Sequence, residues 1–132
     1  MDIQPIKVLM VEDSDIVILA QTMLLETYNF NVDVAETGYK GIEKANTSKY
    51  QLIIIDIGLP DIDGIEVAKQ IQRIGKNTTT PIIAITAQHD SKKAEDCLNA
   101  GALRVFKKPL VLSTCKQIRE FICTEANIAE AI

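Results

Sequence analysis

The chain is 132 residues long, the length of about one domain, and its 47% apolar composition is enough to bury a sizeable core. Its 14 Lys+Arg against 18 Asp+Glu give a net charge of −4 and a pI near 5.0, which argues against nucleic acid or an anionic membrane as a partner. No apolar run approaches the roughly 20 residues of a membrane span, and residues 1–5 lack the basic and apolar regions of a signal peptide, so a cytoplasmic location is expected. The three cysteines, Cys97, Cys115 and Cys123, are odd in number and lie in stretches that read as helix, which fits free thiols in a reducing compartment. The single His89 sits among polar residues and no Cys or His cluster has zinc-ligand spacing.

Short apolar runs alternate with longer stretches of helical spacing. Strands are predicted over residues 6–11, 32–35, 52–55, 82–85 and 103–106, and helices over 15–28, 39–46, 65–74, 91–100 and 112–124. Turn signals mark the limits: Thr37-Gly38, Pro60 with Asp63-Gly64, Gly75, Pro81, Gly101 and Pro109. Continuous runs such as Leu52-Ile53-Ile54-Ile55 suit strands covered on both faces, the situation in a parallel sheet. About five βα units of roughly 26 residues then predict an open, doubly wound α/β sheet with right-handed crossovers. One domain is expected over residues 1–132, with a core at about 6–124 and a tail at 125–132.

In such a sheet, ligands bind beyond the carboxyl ends of the strands. The predicted first strand ends in Glu12-Asp13, the third in Asp56, the fourth in Thr86 and the fifth in Lys107-Lys108-Pro109. Three carboxylates, a hydroxyl and an ammonium would converge on one edge. Strand ends favour polar residues in general, which explains any one of these positions but explains the set poorly. Two carboxylates ~4 Å apart repel by ~4 kcal/mol at an effective dielectric of ~20, so a cation should share the site. Hard carboxylate oxygens suit Mg²⁺ better than zinc or copper. A metal-bound carboxylate beside a lysine and a hydroxyl is chemically able to accept a phosphoryl group, with Asp56 as nucleophile.

The set Glu12-Asp13, Asp56 with Leu59-Pro60-Asp61-Ile62-Asp63-Gly64 behind it, Thr86-Ala87 and Lys108-Pro109 resembles the receiver domain of bacterial two-component response regulators over residues 7–122. The resemblance implies a flavodoxin-like five-stranded sheet of order 2-1-3-4-5. It implies a phosphoacceptor at Asp56 and Mg²⁺ held by Asp13, Asp56, the Gly58 carbonyl and, through water, Glu12. Lys108 and Thr86 would contact the phosphoryl group, assisted by the amides of Gly58 and Ala87, and Pro109 would follow a cis peptide bond. Such a domain is a phosphoacceptor that assists its own phosphoryl uptake and hydrolysis, not an enzyme acting on a separate substrate. A histidine kinase or a histidine phosphotransfer protein is the implied partner, and a weak homodimer is compatible with it. No output domain follows the predicted fifth helix, so the chain is expected to be a stand-alone receiver or part of a larger protein such as a hybrid kinase.

Two departures from the family pattern stand out. Val105 occupies the place of a switching aromatic ring, with Phe106 beside it on the other side of the strand, so phosphorylation is expected to remodel the loop after Thr86 more than the fifth strand. Gly58 replaces a larger side chain and, with Gln88, should set the lifetime of the phosphorylated state. A haloacid-dehalogenase-like phosphatase would need an acid where Gly58 stands, and a flavin-binding protein would need a Gly- and Ser/Thr-rich loop where Glu12-Asp13-Ser14-Asp15 stands. A pseudo-receiver used only for protein contacts would not need the intact acidic set. Finally, Ile16-Val17-Ile18-Leu19-Ala20 would cover the whole circumference of a helix at ~100° per residue, so some must face solvent next to the site. Val17 and Ile18 are the pair expected to be exposed, as a docking surface.

Overall fold

The computed structural model describes residues 4–87 and 91–124; His89, Gln88 and the expected tail at 125–132 lie outside them. Within the described residues the chain alternates β1 (Ile6–Val11), α1 (Asp15–Thr27), β2 (Phe30–Ala35), α2 (Gly38–Thr47), β3 (Leu52–Asp56), α3 (Gly64–Arg73), β4 (Ile82–Thr86), α4 (Ser91–Asn99), β5 (Arg104–Lys107) and α5 (Leu112–Thr124). All neighbouring strands pair in parallel, in the order β2-β1-β3-β4-β5. This is the doubly wound sheet that the alternating pattern predicted.

The two-residue period of the strands divides the core in two. Leu9, Val11, Ile53, Ile55 and Ala84 point to one face, where α2, α3 and α4 close over them with Ala45, Val67, Ala68, Ile71 and Cys97. Val8, Met10, Leu52, Ile54, Ile83 and Ile85 point to the other, against Leu25 of α1 and Cys115, Ile118, Phe121 and Ile122 of α5. Every residue of β3 and β4 is buried, whereas β2 and β5, at the sheet's two edges, mix buried or half-buried positions with exposed ones. Edge position accounts for the two strands whose starts the apolar runs misplaced. β2 starts at Phe30 instead of 32, and β5 runs from Arg104 to Lys107 instead of 103–106, leaving Leu103 48% exposed.

Helix α1 corrects the expected exposure on its surface. Ile18, Gln21 and Leu25 recur at helical spacing on the sheet side, and Ile18 packs against the core beside α5. Val17 is half-buried as well. The solvent-facing stripe is instead Ile16, Leu19 and Met23, which are 81%, 64% and 62% exposed, with Ala20 among them. Five consecutive apolar residues must present some to water, but which ones is set by the angle at which Leu25 docks on the sheet.

The connections at the sheet's other end are tied by Asn77, which is fully buried. Its Oδ1 accepts from the Tyr50 amide at 2.9 Å and the Thr80 hydroxyl at 2.9 Å, while its Nδ2 donates to the carbonyls of Ala45 and Ser48, each at 2.6 Å. Both ends of one amide are thus spent, on three backbone groups and the Thr80 hydroxyl. Replacing Asn77 by Ala should lower stability by about 2–4 kcal/mol through those orphaned groups, seen as a lower urea midpoint with an unchanged slope.

Candidate functional site

Parallel strands all deliver their carboxyl ends to the same edge of the sheet, and here β1, β3, β4 and β5 deliver Glu12-Asp13, Asp56, Thr86 and Lys108 there. Asp56 is the last residue of the central strand and is only 6% exposed. The chain then turns sharply enough for α3 to begin against it. A Cβ on Gly64 would lie 2.6 Å from the Asp56 carbonyl oxygen and 2.8 Å from the Ile57 Cα, so no larger residue fits without moving that backbone. Asp63 caps α3 by accepting from the Ile65 amide at 2.9 Å. Asp61 accepts from the amides of Gly38 and Tyr39, each at 3.0 Å, which holds the start of α2 to the loop behind Asp56. That loop is built by local capping, and it positions the carboxylate.

The ammonium of Lys108 lies 3.0 Å from Asp56 Oδ2 and 2.8 Å from Glu12 Oε1. Glu12 is 1% exposed; its Oε2 accepts from the amides of Asp13 and Ser14, each at 3.1 Å, at the beginning of α1. Burial pushes the Glu12 carboxyl above its ordinary range, opposed by the hydrogen bonds from Lys108 and Ser14. Burial also works against the charge on Lys108, but its hydrogen bonds to Glu12 and Asp56 outweigh it and hold the ammonium above the ordinary lysine range. Asp56 Oδ1 accepts from the Gly58 amide at 3.1 Å. A cavity of about 300 Å³ opens over Asp56, between Gly58 and the Thr86-Ala87 end of β4.

One oxygen each of Glu12, Asp13 and Asp56 lie within 4.8 Å of one another, and Asp13 is exposed to solvent. Three carboxylates at this separation, with one ammonium between two of them, leave an excess of negative charge on hard oxygens. That donor set fits a divalent cation such as Mg²⁺.

The structure thus gathers all the residues that the sequence nominated for the pocket. Thr86 is buried at 5% exposure, its carbonyl accepting from the Lys108 amide at 2.8 Å, and the Lys108–Pro109 peptide is cis. Val105 packs with the α2–α3–α4 side of the core and Phe106 with the α1–α5 side, so the two residues face opposite ways as expected. Lys107 is exposed. Sequence reasoning did not nominate Lys93, which reaches the Asp56 cavity from α4 and carries no motif signal, being one of two adjacent lysines on a polar helix.

A family model for the response regulator receiver domain matches residues 8–120. The chain belongs to that family. Response regulator ArlR of Staphylococcus saprophyticus is 40% identical over 103 residues, which are 78% of this chain and 46% of that protein. The aerobic respiration control sensor protein ArcB of Escherichia coli K12 is 32% identical over 127 residues, 95% of this chain and 16% of that protein. The chain therefore spans less than half the length of these curated relatives. Among solved structures, the receiver domain of the sensor histidine kinase PA1611 of Pseudomonas aeruginosa, with a magnesium ion coordinated in its active site cleft, superposes with a TM-score of 0.80 at 26% identity, covering 88% of this chain and 95% of that one. The chemotaxis response regulator CheY4 of Vibrio cholerae superposes at 0.83 with 24% identity, covering 90% and 99%, and shares the fold. The chain is accordingly a receiver domain of two-component signalling.

Lys108 and a metal would share the same carboxylates, which gives a test that needs no phosphate. In Lys108→Ala the metal-free protein should lose about 1–3 kcal/mol, less than a fully dry pair because the Lys108 side chain is 21% exposed. Its rise in melting temperature on adding Mg²⁺ should exceed that of the unmodified chain, since a more negative cluster binds the cation more tightly. Asp13→Asn should shrink that rise.

Proposed function

We propose that Asp56 is the phosphoacceptor of this receiver, taking the group from a histidine kinase or a histidine phosphotransfer protein. The observation that carries this reading is the Lys108 ammonium held between Asp56 and Glu12, with an open cavity on the free side of the Asp56 carboxylate. Glu12, Asp13, Asp56 and the Gly58 carbonyl would hold Mg²⁺, which when bound supplies positive charge to the transferring oxygens. An Asp56 oxygen forms the new bond to phosphorus as the donor's phosphorus–nitrogen bond breaks and the imidazole leaves to take up a proton. Lys108 follows the charge from the carboxylate onto a phosphoryl oxygen. The Thr86 hydroxyl and the amides of Gly58 and Ala87 border the cavity and donate to the others. Val105 has no ring to swing, so the response falls on the segment after Thr86. Incubation with acetyl phosphate should add one phosphate by intact mass, lost on chelating Mg²⁺ and lost in Asp56→Asn; labelling that survives Asp56→Asn would place the acceptor elsewhere.

The donor's docking surface follows from α1. The exposed stripe Ile16, Leu19 and Met23 borders an apolar groove of about 320 Å³ between Ile16, Val17, Ala20 and Gln21 of α1 and Pro109-Leu110 after β5. Lys108 lines both this groove and the Asp56 cavity, so an apolar helix seated here would bring its phosphohistidine to the acceptor. The side chains of Ile16 and Leu19 take the place of the Val17 and Ile18 pair as the contact residues. Replacing Ile16 with Asn and Leu19 with Gln should slow transfer from a phosphorylated cognate histidine protein about tenfold, which is ~1.4 kcal/mol. Acetyl phosphate labelling and melting temperature should stay near those of the unmodified chain.

A further inference from the structure

We infer that Lys93 is a second cation for the phosphoryl group, reaching it from the side opposite the metal cluster; the inference rests on the reading of Asp56 as phosphoacceptor. Lys93 lies in the first turn of α4, is half-buried, and lines the cavity over Asp56 together with Gly58, Thr86, Ala87 and Lys108. Among the described residues it makes no ion pair, whereas its neighbour Lys92 is bound to Asp96 at 2.7 Å. Lys108 is already divided between two carboxylates. The strand order puts β1, with Glu12 and Asp13, on one side of Asp56, and β4, leading to α4, on the other. Gly58 adds no side chain to that cavity, and among the described residues a Cβ there would meet only Asp56 Oδ1, at 3.8 Å.

Charge balance gives this lysine its task. A divalent cation and Lys108 together neutralise the three carboxylates. Turning Asp56 into an acyl phosphate replaces one negative charge by about two, so one further positive charge is needed in a partly buried site. Lys93 supplies it without exchanging a proton. With acetyl phosphate as donor, an Asp56 oxygen forms the bond to phosphorus, the phosphorus–oxygen bond to acetate breaks, and acetate leaves with the electron pair while Lys93 stays paired with a phosphoryl oxygen. The same contact gives α4 a direct link to the phosphorylated state. One turn beyond Lys93, Cys97 is 2% exposed and anchored in the core, so a pull on Lys93 acts on the helix and not on a free side chain.

The test is a time course of acetyl phosphate labelling in Mg²⁺, by intact mass, at low and high salt, for the unmodified chain and for Lys93→Gln, Lys93→Ala and Lys93→Arg. The neutral variants should label roughly tenfold more slowly at low salt and lose most of the salt dependence, while Lys93→Arg keeps both. Melting temperatures should agree across the set, and beryllofluoride should bind the neutral variants more weakly, read from the Gly58 and Ala87 amide shifts. Labelling of Lys93→Gln at the unmodified rate and salt dependence overturns the inference alone, as does a Lys93→Arg as slow as Lys93→Gln. Absence of labelling in the unmodified chain overturns the Asp56 reading and this inference with it.

Discussion

Two carboxylates, Glu12 at 1% and Asp56 at 6% exposure, are held out of water within reach of one ammonium, and the rest of the sheet edge is arranged around that contact. Removing charge from water costs several kcal/mol per ion before any attraction is counted. Lys108 offsets part of this for Glu12 and Asp56, and the amides of Asp13, Ser14 and Gly58 offset more. Asp13 remains on the solvent side, where its charge costs little. Such a site is stable enough to fold, yet still carries more negative charge than its own lysine can balance. That residual charge suits a divalent cation, and on the proposed reading of Asp56 it is with the cation in place that the site takes a phosphoryl group.

The precision of the arrangement comes from backbone restraints that have no charge of their own. Gly64 lets α3 start in contact with the Asp56–Ile57 backbone, and Asp63 and Asp61 fix the starts of α3 and α2 through their amides. Burial opposes ionisation of Asp61, but the amides of Gly38, Tyr39, Ile62 and Asp61 itself together outweigh it and hold the carboxyl below the ordinary range, as expected of a capping carboxylate. The acidic motif behind Asp56 thus serves the helices first, and through them the orientation of the central strand's last residue.

Much of this was legible in the sequence because strands buried on both faces leave a plain mark. Leu52-Ile53-Ile54-Ile55 could be read as a central strand and Asp56 as its end, and the order of acidic pair, aspartate, threonine and lysine located the site. The edge strands were less legible: burial in β2 and β5 is partial, so their apolar runs do not coincide with their hydrogen-bonded limits. The exposed face of α1 was unreadable in detail, because five adjacent apolar residues carry no phase of their own. Only Gln21 and Leu25, buried a turn or two further on, select Ile18 for the core and leave Ile16 and Leu19 outside. Lys93 was invisible for a different reason: its place beside Asp56 depends on where α4 sits, and a lysine on a polar helix is ordinarily a solvated one.

The departure at Val105 bears on how the site communicates with the remaining surface. In β5, Val105 belongs to the α2–α3–α4 side of the core and Phe106 to the α1–α5 side. The Arg104 guanidinium stacks over the rings of Phe106 at 5.4 Å and Phe121 at 5.0 Å, which fastens the strand to α5. A small aliphatic side chain on one face and a stacked cation on the other leave β5 without a bulky group that can exchange between two packings. Two discrete packings of similar energy are what a conformational relay requires. The α4 side differs: its first turn carries a charged side chain into the Asp56 cavity, and its apolar attachment begins only at Cys97. On the proposed roles of Asp56 and Lys93, electrostatic traction on α4 is then mechanically easier than displacement of β5, and the relay would run through charge and not through a ring.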